Sequence, residues 1–315
     1  MRAVVQDAYG IAGVLRVEEV PEPEPGEGEV LVRVRAAGVD QGARHLVTGE
    51  PGVVRLAIGL RRPRNRVPGA DLAGVVERVG GGVRGFEVGD EVLGVGRGAF
   101  AELARASADR IVRKPASLTF AEAAALPISG VTALQAVRGR VGERVLVLGA
   151  SGGVGSCAVQ LAKALGARVT GVCSGGKAGF VRSLGADEVV DYREAEPSGR
   201  YDLVVDTGGR RPLRALRRLL TPRGALVIVG GEGGGAVFGG LQRQLGALLL
   251  NPLVRQSLTC PVSLVGAEDL RLLVGFVERG QLRAPLDRSY PLERAEDALL
   301  RLSAGGVLGK VVLTV

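Results

Sequence analysis

Along Glu29–Ala36 apolar and polar residues alternate, so that Val30, Val32 and Val34 share one face with the two-residue period of a half-buried strand. Weaker alternation over Arg2–Gln6 and Leu15–Val20 extends the pattern, as do the short apolar runs Gly74–Val79 and Asp90–Gly94 between glycine turns. The charged stretch PEPEPGEGE, residues 21–29, reads as an extended, solvated connector. Up to about Lys114 the chain offers short strands and turns and no long amphipathic helix. This part is therefore expected to be β-rich, a partly open barrel.

From about Pro115 the rhythm changes. Short apolar runs at Val145–Leu148, Arg168–Val172, Glu188–Asp191, Leu203–Asp206 and Ala225–Val229 alternate with helical segments, among them Val154–Leu165, one ending near Leu184, and Leu213–Leu220. β-branched runs separated by helices imply a parallel sheet covered on both faces, and right-handed crossovers make it doubly wound. A glycine stretch follows Gly230, then a helix around Leu241–Leu250, a strand near Ser257–Leu264 and a helix over Ala267–Arg279. A helix at Arg294–Leu302 and a strand at Lys310–Val315 are placed back on the first domain. The expected division is 1–115 with 283–315 as the β-rich domain, and 116–282 as the α/β domain.

Composition narrows the chemistry. With 315 residues, no staple is needed to hold a core; the 50 glycines show no G-X-Y period, which excludes collagen. The formal charge of +8 favours anionic ligands without choosing among them. Four tyrosines, six phenylalanines and no tryptophan argue against recognition by base stacking. Cys157, Cys173 and Cys260 are scattered and His45 is the single histidine, so neither a four-cysteine zinc site nor a His-rich metal site can form within the chain. The thiols fit a reducing cytoplasm, the N-terminus lacks a secretory apolar core, and no apolar run reaches a membrane span. Arg55, Arg61, Arg62, Arg64 and Arg66 cluster around LAIGL. They read first as a solvated face, then as a rim steering an acidic substrate or cofactor, and least as a nucleic-acid patch.

The sharpest motif is VLVLGASGGVG, Val145–Gly155, running into SCAVQLAKALGA. A buried strand, a glycine turn and a helix N-terminus together cradle phosphate: backbone N–H groups and the positive helix end face the anion, and glycines let it approach. A P-loop would need G-K-[ST], which is missing. Gly149–Gly153 also satisfies the G-x-S-x-G nucleophile elbow, but that enzyme needs a histidine after the serine, and His45 lies before it. NAD enzymes place a carboxylate at the end of the second strand, about 20 residues on. Here Val172-Cys173-Ser174-Gly175-Gly176-Lys177 stands there, with no carboxylate until Asp187. Ser174 can donate to a 2′-phosphate and Lys177 can pair with it, so NADP(H) is expected over NAD(H).

With LPISGVTALQAV (Leu126–Val137), GASGGVG, LGADEVVDY (Leu184–Tyr192) and GKVVL in this order, the whole chain resembles the medium-chain dehydrogenase/reductase superfamily. Pro68–Gly74 and Gly89-Asp90-Glu91-Val92 bring it closer to the zinc-independent quinone oxidoreductase branch. The resemblance implies a GroES-like first domain, a Rossmann second domain and a homodimer. Zinc-dependent relatives carry Cys where Asp40 stands and His-Glu where Ala70-Asp71 stands. The implied reaction is hydride transfer from NADPH to a quinone or an α,β-unsaturated carbonyl. An NADPH-binding sensor, an RNA-binding member with little turnover, and an alcohol or enoyl reductase of a biosynthetic pathway are the alternatives.

Carried over by position, Gly152, Gly153 and Val154 line the pyrophosphate, while Ser174, Lys177 and Tyr192 surround the adenosine phosphate. Thr132 approaches the nicotinamide, Gly208 and Gly230 flank the dinucleotide, and Lys310 lies beside the cofactor. The substrate pocket is expected near Asp40, with His45 and Phe100 as walls. Asp40 replaces a common Asn, and only a protonated Asp could donate to a substrate oxygen. His45 is a second candidate proton donor. Asp71 is expected to be a buried structural carboxylate bonded to backbone N–H groups.

Overall fold

A computed structural model describes residues 1–11, 13–230, 238–261 and 264–315. The chain divides into two units: residues 1–131, 265–279 and 284–315 form the first, and 132–264 with 280–283 the second. Residues 116–131 and 265–279, expected in the α/β domain, pack with the first unit instead.

Among the described residues, nine strands belong to the first unit: β1 (Arg2–Val5), β2 (Arg16–Glu19), β3 (Glu29–Val39), β4 (Asp71–Val79), β5 (Glu91–Val95), β6 (Leu103–Ser107), β7 (Ile111–Arg113), β14 (Leu286–Pro291) and β15 (Lys310–Thr314). β1 and β2 form an antiparallel ribbon; the others form one sheet in the order β14-β15-β3-β4-β5-β7, with β6 also paired to β3. Val30, Val32 and Val34 are buried as the alternation requires, yet Leu31 is buried too. The reason is position: β3 is central, bonded to β4, β6 and β15 along different parts of its length. A helix at Gln41–Thr48 interrupts the expected run of strands.

The second unit carries β8 (Arg144–Leu148), β9 (Arg168–Cys173), β10 (Glu188–Asp191), β11 (Tyr201–Asp206), β12 (Leu220–Ile228) and β13 (Ser257–Thr259). All pair in parallel, in the order β10-β9-β8-β11-β12-β13. This is the doubly wound Rossmann order, with its topological switch between β8 and β11, where ligands bind at the strand C-termini. The glycine stretch after Gly230 and part of the Ser257–Leu264 segment lie outside the described residues.

Candidate functional site

In the second unit, β8 ends at Leu148 and the chain turns at Gly149, whose φ of 77° suits glycine. Gly149 and Ala150 both donate their N–H to the Val172 carbonyl at 3.1 Å, tying the turn to β9. The helix Gly153–Ala164 then starts, with Gly152 as its N-cap and no side chain capping it. Its first-turn N–H groups are therefore left for a ligand. A Cβ on Gly155 would lie 2.1 Å from the Gly149 carbonyl oxygen, so Gly155 is required by the turn itself. At Gly152 the nearest atom would be 3.6 Å away, so its missing side chain opens space rather than closing a contact. Gly152, Gly153 and Val154 thus sit together at an uncapped helix end above a parallel sheet.

β9 hands on to Ser174 and the short turn Gly175–Lys177, closed by the Lys177 N–H bonding to the Ser174 carbonyl at 2.8 Å. Ser174 and Lys177 are half-buried. Tyr192 follows β10 with its backbone N–H on the Cys173 carbonyl and its ring 49% exposed, so all three residues gather at one corner. Two neighbours there escaped the sequence reading. Asp191 pairs in register with Cys173, and a Cβ on Gly175 would meet its Oδ2 at 2.3 Å. Arg193 lies over the Tyr192 ring at 6.0 Å. The corner therefore brings cations, Lys177 and Arg193 among them, together with the Asp191 carboxylate, which arrives from the adjacent strand.

At the ends of β11 and β12, Thr207 bonds through Oγ1 to the Leu148 carbonyl at 2.8 Å, and a Cβ on Gly230 would strike the Thr207 carbonyl oxygen at 2.5 Å. Gly208 follows Thr207 in the same bend. Below it, Asp206 is 1% exposed and its Oδ2 lies 2.7 Å from Arg243 Nη1. Burial pushes the Asp206 carboxyl above its ordinary value against the pull of Arg243. Arg243 also bonds the Gly230 carbonyl at 2.8 Å and the Arg211 carbonyl at 3.1 Å, fastening the loops after two strands. Thr132, on the helix Pro127–Val137, is 6% exposed.

The first unit overturns several expectations. Lys310 is 2% exposed and its Nζ bonds Asp71 Oδ2 at 2.6 Å, Asp40 Oδ2 at 2.9 Å and Ser129 Oγ at 3.3 Å. A buried ammonium with those partners has no face for a phosphate, so Lys310 is not a cofactor anchor. Asp40 uses its other oxygen as N-cap of the helix Gln41–Thr48, accepting from the Ala43 N–H at 2.8 Å. Burial would raise the Asp40 carboxyl, but Lys310 and the Ala43 N–H outweigh it and hold it below its ordinary value. Asp40 stays ionised with both oxygens occupied, which removes the protonated-donor role. Phe100 is fully buried in the first core, its ring packed against Gly69, and so faces the core rather than a cleft.

Asp71 is buried and bonded to a backbone N–H, that of Ile128 at 2.9 Å, with the ion pair to Lys310 added. Burial dominates its titration; Lys310 opposes, Asp40 adds, and the carboxyl is pushed up to about 6. For Lys310, burial lowers the ammonium but two carboxylates more than compensate, leaving it raised. His45 is half-buried on the helix Gln41–Thr48, its Nδ1 2.5 Å from the Glu50 carbonyl oxygen. A carbonyl oxygen can only accept, so Nδ1 is the donor of that bond. Among the described residues, no group of three or more His, Cys, Asp and Glu is arranged to hold a metal.

The family model of the alcohol dehydrogenase GroES-like domain matches residues 26–116, and that of zinc-binding dehydrogenases matches residues 184–313. A chloroplast envelope quinone oxidoreductase homolog from Arabidopsis thaliana is 33% identical over 335 residues, covering 99% of this chain and 98% of that protein. The quinone oxidoreductase structure from Coxiella burnetii matches with a TM-score of 0.86 at 29% identity, over 100% of this chain and 99% of that one. Escherichia coli quinone oxidoreductase, solved in complex with NADPH, matches with a TM-score of 0.83 at 27% identity over the full length of both.

Proposed function

The chain belongs to the medium-chain dehydrogenase/reductase superfamily, in its quinone oxidoreductase-like branch, and we propose that it is a zinc-independent reductase passing hydride to a quinone or an α,β-unsaturated carbonyl. It is an NADP-dependent oxidoreductase. The observation that carries the cofactor side is the uncapped helix end at Gly152–Val154, beside a corner holding Ser174, Lys177 and Tyr192. Bound there, the nicotinamide supplies a hydride. The helix N–H groups hold the pyrophosphate, and Ser174, Lys177 and Arg193 favour a 2′-phosphate against the opposing charge of Asp191.

Zinc independence is supported by the donors themselves. Where zinc relatives have Cys and His-Glu, this chain has Asp40 and Ala70-Asp71; Ala70 cannot ligate, and both carboxylates are already bonded to the Lys310 ammonium. The acceptor is then activated by position and exclusion of water rather than by a metal held on this triad. With Nδ1 held by the Glu50 carbonyl, His45 has Nε2 left for a substrate oxygen. We further propose a homodimer. Leu245, Leu248, Leu249 and Leu253 are 52–79% exposed, and β13 is the edge strand among the described residues, so an apolar helix face and a strand edge are offered to a second copy.

The test is loss of nicotinamide absorbance by chelator-treated protein, with NADPH and NADH in parallel, against quinones and enones. Turnover with NADPH preferred is the expected result. Preference for NADH would remove the phosphate role of Ser174 and Lys177, and turnover that needs added metal would remove the zinc-independent reading.

A further inference from the structure

Between Glu50 and Asp71 the chain carries five arginines and no acidic residue. The structure separates those arginines. Arg66 is consumed by Asp7 and Glu18, at 2.7 and 3.1 Å. Arg55 lies over the Tyr9 ring at 4.6 Å and bonds the Gly49 carbonyl at 3.0 Å. Arg64 is exposed and spends one N–H on the Ala57 carbonyl at 3.4 Å. Arg61 and Arg62 are exposed, and among the described residues neither has an ion-pair partner. Beside them Leu56 and Leu60 are 66% and 67% exposed.

This segment is a built knob. The short helix Arg55–Ile58 ends at Gly59, whose φ of 125° and close approach to the Arg62 carbonyl exclude a side chain. The Arg64 N–H bonds the Ile58 carbonyl at 2.8 Å, and the Tyr9 hydroxyl bonds the Gly59 carbonyl at 2.6 Å. Two leucines and the arginines beside them are thus presented on a backbone already ordered, which lowers the entropy lost on docking. Single exposed leucines need no explanation, but a pair within five residues, bordered by unneutralised guanidinium groups, has the chemistry of an interfacial membrane anchor.

We propose that residues 56–64 dock the protein on an anionic lipid bilayer, Leu56 and Leu60 entering the acyl boundary while Arg61, Arg62 and Arg64 meet the headgroup phosphates. Charge complementarity selects the occupant: the segment is wholly basic and the chain carries a formal +8. Nucleic acid fits less well, because no Phe, Tyr or Trp lies between Tyr9 and Phe86 and the Tyr9 ring is covered by Arg55, which leaves bases a poor stacking platform. The chain has no helix long and apolar enough to cross a membrane among its described residues, so the attachment is peripheral. This inference does not rest on the reductase reading, since docking needs neither cofactor nor acceptor.

The experiment is co-sedimentation of the full chain with phosphatidylcholine vesicles, with and without phosphatidylglycerol, at low and high salt. Binding is expected on the anionic vesicles alone and is expected to weaken with salt. Arg61→Gln/Arg62→Gln should bind about 25-fold more weakly, about fivefold for each arginine. Leu56→Ser/Leu60→Ser should bind more weakly with the salt dependence unchanged; all four residues are exposed, so melting temperatures should match the parent. No binding to anionic vesicles, or equal binding by either double variant, overturns the proposal. So does retention on heparin or RNA as strong as on vesicles and indifferent to the leucines, which would make the patch a general polyanion site.

Discussion

Replacing Lys310 with Met tests the buried triad most directly. The variant keeps the volume of the side chain and leaves Asp40 and Asp71 without the ammonium that joins them at 2.9 and 2.6 Å. Breaking a buried pair on one side costs about 3–5 kcal/mol. The pH dependence separates this charge effect from simple loss of packing. In the parent, Asp71 holds its proton up to about pH 6, above the ordinary carboxylate value, so the folded state binds more protons than the unfolded one across that interval. Stability therefore falls by about 3 kcal/mol as pH rises from about 4 to 6, and is level above that. Without Lys310, burial and the Asp40 charge remain, so Asp71 keeps its proton to a higher pH than in the parent. The variant then goes on losing stability above about pH 6, where the parent does not, at up to about 1.4 kcal/mol per unit. Its penalty should consequently be smaller at pH 5 than at pH 8. Urea unfolding of both proteins at the two pH values measures this. Lys310→Met/Asp71→Asn should recover most of the loss at pH 8, since only Asp40, which is 15% exposed, remains charged. An equal penalty at both pH values would refute the reasoning.

Asp40→Asn should keep the Ala43 cap through its amide oxygen while relieving the repulsion on Asp71, whose titration then moves below about 6; the pH midpoint of the stability slope reports it. Ser174→Ala/Lys177→Ala should raise the KM for NADPH about tenfold and leave that for NADH unchanged, and a parallel rise in both would sink the phosphate assignment. Gly155→Ala places a Cβ 2.1 Å from the Gly149 carbonyl oxygen and should cost about 1–3 kcal/mol with loss of cofactor binding; an unchanged melting temperature would contradict the packing argument. Arg243→Met should destabilise by about 3–5 kcal/mol by stranding Asp206, with partial recovery on adding Asp206→Asn, a cycle that thermal unfolding can follow.

What the sequence made legible was local. The VLVLGASGGVG run specifies strand, turn and helix within a dozen residues, because a buried β-branched run, a glycine at positive φ and an apolar helix face each leave a periodic trace. Ser174 and Lys177 were legible because they follow the end of a strand; Tyr192 came only from the family resemblance. Asp191 stands in the same quoted motif, but its approach to Gly175 is set by parallel register, which has no signature along the chain. The triad was further out of reach. Lys310 and Asp40 are 270 positions apart and meet only because β15 pairs antiparallel with β3, so a lysine after Gly309 read as a cofactor anchor. Phe100 was misplaced for a similar reason: whether an aromatic in a turn faces a cleft or a core depends on Gly69, which makes room for its ring from another loop.

The insertion of β15 beside β3 has a consequence for synthesis of the chain. Asp71 waits 239 residues for its counter-cation, which at about 5–20 residues per second is roughly 10–50 s on the ribosome. For most of that interval neither unit is complete; the second is complete at residue 283, ahead of Lys310, and can close its parallel sheet while the first still lacks β15 and the charge that lets two carboxylates be buried. The segment translated first is therefore the one that finishes folding last, its interior wet until Lys310 arrives.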